Sequence, residues 1–133
     1  MTQLRSYTTI EQSKKLAEFL PIESADQTWE RIAIAGANLD VPEELQYRHN
    51  GDRPYLYYSG IGIPCWSLAA LLSVINNIKG WYPGIDAQVE DNKWQICMFS
   101  RETGSDTDLS SMDEELVDVC YEVIVKLHEQ NLI

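Results

Sequence analysis

Residues 85–100, read as Ile85-Asp86-Ala87-Gln88-Val89-Glu90-Asp91-Asn92-Lys93-Trp94-Gln95-Ile96-Cys97-Met98-Phe99-Ser100, decide the fold class of this 133-residue chain. Ile85, Ala87 and Val89 alternate with Asp86, Gln88 and Glu90; beyond Asp91-Asn92 the alternation resumes, with Trp94, Ile96 and Met98 on one side. Period-two patterning on both sides of a turn dipeptide specifies a β-hairpin with one face turned to a core. Glu90 and Lys93 flank the turn as a cross-strand pair of opposite charge.

Helical signals lie on either side of the hairpin. Before it, Leu68, Leu71, Leu72, Ile75 and Ile78 recur at helical spacing behind Pro64-Cys65-Trp66-Ser67, predicting a helix over 67–79 with Ser67 as its cap. After it, Ser111 and Glu114 form a capping box, and Met112, Leu116, Val119, Cys120, Val123, Ile124 and Leu127 line one face of a helix over 111–130. A third helix is expected over 8–20, capped by Thr8 with Glu11 or Thr9 with Gln12 and ended by Pro21.

The middle is less regular. Trp29 to Ala35 alternates weakly as a strand, 36–50 reads as a loop with one helical turn at 43–46, and the tyrosines of 53–59 suggest a strand. Gly80 to Gly84 reads as an exposed turn, and 100–110 as a polar loop. The expected architecture is α+β: one small antiparallel sheet, made of the hairpin 85–99 and a strand 53–59, against two or three helices (8–20, 67–79, 111–130). A single domain covering 1–133 is expected.

Composition limits the function classes. The net charge is −11, with 21 acids against 10 bases, a sign that repels phosphate backbones and disfavours nucleic acid as a partner. The longest apolar run, around Leu68–Ile75, falls short of the roughly 20 residues needed to cross a bilayer, so no membrane partner is expected. Three widely spaced cysteines form no metal knuckle or disulfide framework, and the polar N-terminus has no signal-peptide core, which together point to a reducing cytoplasm. No cofactor or metal is implied.

Cys65 is the sharpest chemical candidate, because a thiol beside a helix N-terminus is shifted toward thiolate. A cysteine nucleophile also needs a base, and the only histidines, His49 and His128, stand in a polar segment and near a helix C-terminus. Tyr55, Tyr57, Tyr58, Trp81 and Tyr82 are grouped in the middle third as a possible interaction surface; in the simpler reading Trp66 and Trp94 are core, with the tyrosine hydroxyls at its rim. From Glu102 to Glu122 there are eight carboxylates and no Lys or Arg, giving an acidic patch of Asp106, Asp108, Asp113, Glu114, Glu115, Asp118 and Glu122. Its simpler reading is a solvated face with acids complementing a helix start.

The order Tyr7-Thr8-Thr9-Ile10-Glu11-Gln12-Ser13-Lys14-Lys15-Leu16, then Ser24-Ala25-Asp26, then Trp66-Ser67-Leu68 within 64–72, then a long terminal helix, resembles a group of small phage and mobile-element proteins of gut anaerobes. The resemblance spans most of the chain and implies a prophage-related cytoplasmic protein, with no activity and no catalytic residues to carry over. The expected function is therefore that of a non-enzymatic accessory protein acting through protein–protein contacts, with an unknown partner or as a homodimer. The alternatives are an acidic DNA mimic directed against a host defence and an enzyme using Cys65.

Overall fold

The computed structural model describes residues 5–31, 46–54, 57, 62–88, 92–104 and 106–133. The fold is α+β, with two three-stranded antiparallel sheets instead of one, in two compact units. Residues 8–67 make the first unit; residues 68–133, with the N-terminal segment to Tyr7, make the second.

In the first unit, α1 (Ile10–Ala17) starts at Thr9, whose side chain accepts from Gln12 N while the Gln12 side chain accepts from Thr9 N. Of the two predicted boxes, the Thr9–Gln12 pair is the one formed, and it satisfies two helix-end donors reciprocally. The helix is shorter than the expected 8–20: Glu18 and Phe19 already donate three residues back, to Lys15 and Leu16, ahead of the extended Pro21. A 3-10 turn (Ile22–Ser24) leads to β1 (Gln27–Arg31), which pairs antiparallel with both β2 (Gln46–Asn50) and β3 (Gly62–Cys65). Leu16, Leu20, Ala25, Cys65 and Trp66 form the apolar core of this unit.

Three expectations change here. The strand read at 29–35 starts earlier, as β1 from Gln27, with its residues 32–35 outside those described, and the loop read at 36–50 ends in β2. His49 is therefore a strand residue opposite Thr28. The strand predicted at 53–59 does not form at its described positions: Pro54 and Tyr57 are helical. Proline's fixed φ and missing N–H suit a first helical turn, which outweighs the tyrosines' preference for strands. Tyr55, Leu56, Tyr58 and Ser59 lie outside the described residues, as do 43–45 of the helical turn predicted at 43–46, whose last residue, Gln46, is instead the first of β2.

In the second unit, α2 (Leu68–Asn76) precedes β4 (Trp81–Gln88), β5 (Lys93–Ser100), β6 (Asp106–Asp113) and α3 (Leu116–Glu129). The hairpin is present and longer than 85–99, pairing Trp81 with Ser100 through Gln88 with Lys93. Asn92 takes the left-handed region at φ +54, while the Glu90–Lys93 pair involves a residue outside those described. The turn predicted at Gly80–Gly84 is mostly strand, since Trp81 to Gly84 already pair with β5.

The helix expected over 111–130 begins later. Ser111, Met112 and Asp113 belong to β6, and α3 starts after Glu115, which makes no side-chain cap. Local capping chemistry lost to pairing: Asp113 lies opposite Trp94, and Ser111 opposite Ile96. Ile96 and Met98 of β5, Leu71 and Ile75 of α2, and Val119, Cys120, Val123, Ile124 and Leu127 of α3 are fully buried. Burial of one such aliphatic side chain contributes roughly 1.5–3 kcal/mol. Trp94 departs from the core reading: it shares the face of Ile96 and Met98 one pleat nearer the turn, and stays 38% exposed.

Candidate functional site

Four of the five large apolar side chains exposed among the described residues belong to the sheet β4–β5–β6: Tyr82, Ile85, Trp94 and Met112. Residues paired across an antiparallel ladder share a face. Tyr82 opposite Phe99, Gly84 opposite Cys97, and Gln95 opposite Met112 therefore make one face; Ile85 opposite Ile96 and Ala87 opposite Trp94 belong to the other.

The first of these faces is ordered by its aromatics. Tyr82 and Phe99 stack with ring centroids 5.4 Å apart, and the Arg101 guanidinium lies 5.6 Å from the Tyr82 centroid. Arg101 is held there by its Nε, which donates to Trp81 O at 3.2 Å. The absence of a side chain at Gly84 makes room for the stack, because a Cβ there would stand 2.6 Å from Phe99 Cε2. The result is a flat π surface topped by a cation, with Met112 at 44% exposure on the far strand of the same face.

The predicted aromatic set is only partly gathered in this way. Trp81 and Tyr82 are neighbours on β4 and so point to opposite faces, Trp81 half-buried and Tyr82 exposed. Tyr57 belongs to the first unit, with its hydroxyl 3.3 Å from Thr28 Oγ1 and donating to Gln27 O at 3.4 Å. Tyr55 and Tyr58 lie outside the described residues.

Several members of the acidic patch are engaged within the second unit. Arg5 pairs with Glu115 at 3.0 Å and also with Asp118, tying the N-terminal segment to the start of α3. Glu122 accepts from the Ser111 hydroxyl, and Asp113 accepts from Glu114 N at 2.6 Å. Asp106 and Asp108 lie on β6. Of these carboxylates, Glu122 links α3 to β6, and Glu115 and Asp118 link the start of α3 to the N-terminal segment.

A polar cluster in the first unit is absent from the sequence reading. Thr28 and Glu30 point to one side of β1, joined by His49 across the ladder and by Arg53 and Tyr57 from the segment that follows β2. Arg53 Nη1 lies 3.0 Å from the Glu30 carboxylate, which is 6% exposed, and Arg53 Nη2 donates to His49 Nε2. The other ring nitrogen, Nδ1, lies 2.6 Å from Asn50 O, an acceptor for a proton on that nitrogen. Burial pushes the Tyr57 phenol above its usual range. One guanidinium thus spans a buried carboxylate and an imidazole lone pair, an arrangement that holds Arg53 onto the sheet. The signal in the sequence was Glu30, which has the same parity as Ile32 and Ile34 and so places a carboxylate in line with an apolar face.

Cys65 is fully buried, with its thiol 3.6 Å from Thr8 Oγ1 and donating to Thr8 O and Gln27 Oε1 at 3.7 Å. Burial pushes its pKa up, against the lowering effect of hydrogen bonds from Thr8 and Ser13. That is the reverse of the shift that activates a nucleophile. Cys120, buried on α3, is pushed up to about 12 by the same desolvation. Because the folded thiol stays protonated where the unfolded one ionises, its stabilisation is complete below about pH 9 and falls away as pH rises toward 12. The expected slope from this group is at most about 1.4 kcal/mol per pH unit. Urea unfolding at pH 8, 9.5 and 11 should show a shallower decline for Cys120→Ala than for the wild type; equal slopes would remove Cys120 as the cause.

No family model, curated protein or solved structure matches this chain. Among the described residues, no helix is long and apolar enough to cross a membrane, and no group of three His, Cys, Asp or Glu side chains could hold a metal ion.

Proposed function

We propose that this chain is a non-enzymatic protein–protein interaction module, and that the sheet β4–β5–β6 is its contact surface. The observation that carries this reading is the concentration of exposed Tyr82, Ile85, Trp94 and Met112 on one small sheet, with the Tyr82–Phe99 stack and Arg101 beside them. Aromatic, methionine and arginine side chains are the types enriched where partners meet. Rigid rings and a strand backbone also lose little conformational freedom on docking, which lowers the cost of association. Burial and the upward shift of the Cys65 and Cys120 thiols weigh against a nucleophile at either position. Service to a phage or mobile element rests on the sequence resemblance alone.

The test combines sedimentation of the purified chain with affinity capture at several salt concentrations. The wild type is expected to form a discrete complex, and Tyr82→Ser with Met112→Ser to weaken it at least about tenfold, while the loss of the Tyr82–Phe99 stack lowers stability by only about 1–2 kcal/mol and leaves the chain folded. A monomer that recovers no partner under any condition would overturn the reading.

A further inference from the structure

The two free edges of the second sheet are not equivalent. β6 is guarded: its sequence places Asp106, Asp108 and Asp113 along the strand, and the Lys126 amine donates to Ser110 O. Charged residues on an edge strand oppose pairing with another chain. β4 has one charge, Asp86, among eight residues, and exposes Ile85, Asp86 and Ala87 in succession.

The hydrogen-bond alternation shows which backbone groups that edge offers. Arg101 N donates to Gly80 O, and Trp81 N donates away from β5, to Ile78 O. In an antiparallel ladder inward and outward residues alternate, so Tyr82, Gly84, Asp86 and Gln88 bond to β5 while Pro83, Ile85 and Ala87 face outward. Pro83 has no N–H to offer, which makes it the natural limit of the open stretch. Ile85 and Ala87 each present an N–H and a C=O, and no backbone bond beyond the ladder reaches either of them among the described residues. Their side chains share a face with Trp94, so the open backbone and the exposed apolar patch coincide.

We propose that β4 is a strand-addition edge, and that its occupant is an extended, cationic segment of another protein which pairs with Ile85 and Ala87 and lays an apolar side chain against Ile85 and Trp94. This rests on the interaction reading above and specifies its partner. Charge decides between that occupant and a second copy. The chain carries a net −11, and the two-fold register that pairs Ile85 with Ala87 of a second copy sets the two Asp86 carboxylates opposite each other. A lysine or arginine opposite Asp86 turns the same position from repulsive to favourable. Main-chain bonds then supply affinity, and the alternate side chains supply selectivity.

The probe is a blocked heptapeptide of alternating lysine and valine, titrated into the full chain, with amide hydrogen exchange read residue by residue. Saturable binding is expected, with exchange slowed at Ile85 and Ala87; the matching glutamate–valine peptide should bind at least about tenfold more weakly. Ile85→Pro removes one outward donor and no bond to β5, so it should fold and bind the lysine peptide about tenfold more weakly. Asp86→Lys should reverse the preference between the two peptides. Equal binding of both peptides, protection confined to Tyr82 and Met112, or indifference to both substitutions would overturn the edge assignment. Protection at Tyr82 and Met112 alone would leave the interaction module standing, whereas no peptide binding and no captured complex would remove both. A concentration-dependent dimer lost in Ile85→Pro would make a second copy the occupant and overturn the cationic partner.

Discussion

Trp66→Ala is expected to cost about 3–5 kcal/mol, the range for truncating a large buried aromatic. Trp66 is the largest fully buried side chain among the described residues. Its indole Nε1 donates to Ser24 Oγ at 2.9 Å, and its backbone N donates to Thr8 Oγ1 at 3.2 Å. Thr8 N in turn donates to Trp66 O at 3.0 Å, so the residue joins the segment before α1, the 3-10 turn and the end of β3. Truncation opens a cavity among these parts and withdraws the indole donor from Ser24. Against a total stability of about 5–15 kcal/mol for a domain, the loss removes a large fraction of the margin. Trp66→Phe keeps most of the volume and loses the indole hydrogen bond, for an expected cost of about 1–2 kcal/mol. Urea unfolding of the three proteins checks both values. A cost below about 1 kcal/mol for Trp66→Ala would show that the indole does not fill the core of the first unit.

The second large effect is expected at Arg53. Removing one member of a buried ion pair leaves its partner's charge uncompensated, at a cost of about 3–5 kcal/mol when both are dry. Glu30 is 6% exposed but Arg53 is 31% exposed, so water screens part of the pair and about 2–3 kcal/mol is expected for Arg53→Ala. Two partners are affected, because Arg53 also donates to His49 Nε2. Combining Arg53→Ala with Glu30→Gln removes the buried charge as well, so the double variant should be more stable than Arg53→Ala alone by about 1 kcal/mol or more. The comparison separates a buried-charge penalty from simple loss of the arginine's packing: a double variant less stable than Arg53→Ala would favour packing. Raised salt should rescue little, since the carboxylate sits beneath the surface.

Local chemistry made some features legible in the sequence. The Thr9–Gln12 box, the hairpin pairing across 85–99 and the apolar spacing of Leu71, Ile75, Cys120, Val123, Ile124 and Leu127 depend on neighbours a few residues away; the box and the pairing form, and those six side chains are buried. Together they determined an α+β class and a hairpin flanked by helices. What they missed depends on contacts far apart along the chain. β1 pairs with strands beginning 19 and 35 residues after its own start, at Gln46 and Gly62, and neither partner carries a strong alternation of its own. Ser111 to Asp113 show the conflict directly: a valid capping box lies in that segment, yet the row of backbone groups on β5 takes it as a strand and delays the helix to Leu116.

The candidate site divides in the same way. Tyr82 and Trp81 were visible as aromatics beside a proline and glycines, but strand pairing decides that they face opposite ways, that Phe99 stacks on Tyr82, and that Ile85 and Ala87 have backbone groups to offer. The glutamate, histidine and arginine of the first unit lie up to 23 residues apart and meet only because β1, β2 and the segment after β2 converge. Sequence alone therefore determined which segments are amphipathic and how their ends are capped, since those preferences act within one or two turns of chain. The tertiary structure decided the second sheet, the buried polar cluster and which residues of β4 pair with β5, because each arises where a backbone or side-chain group finds its partner across a fold that local preference cannot specify.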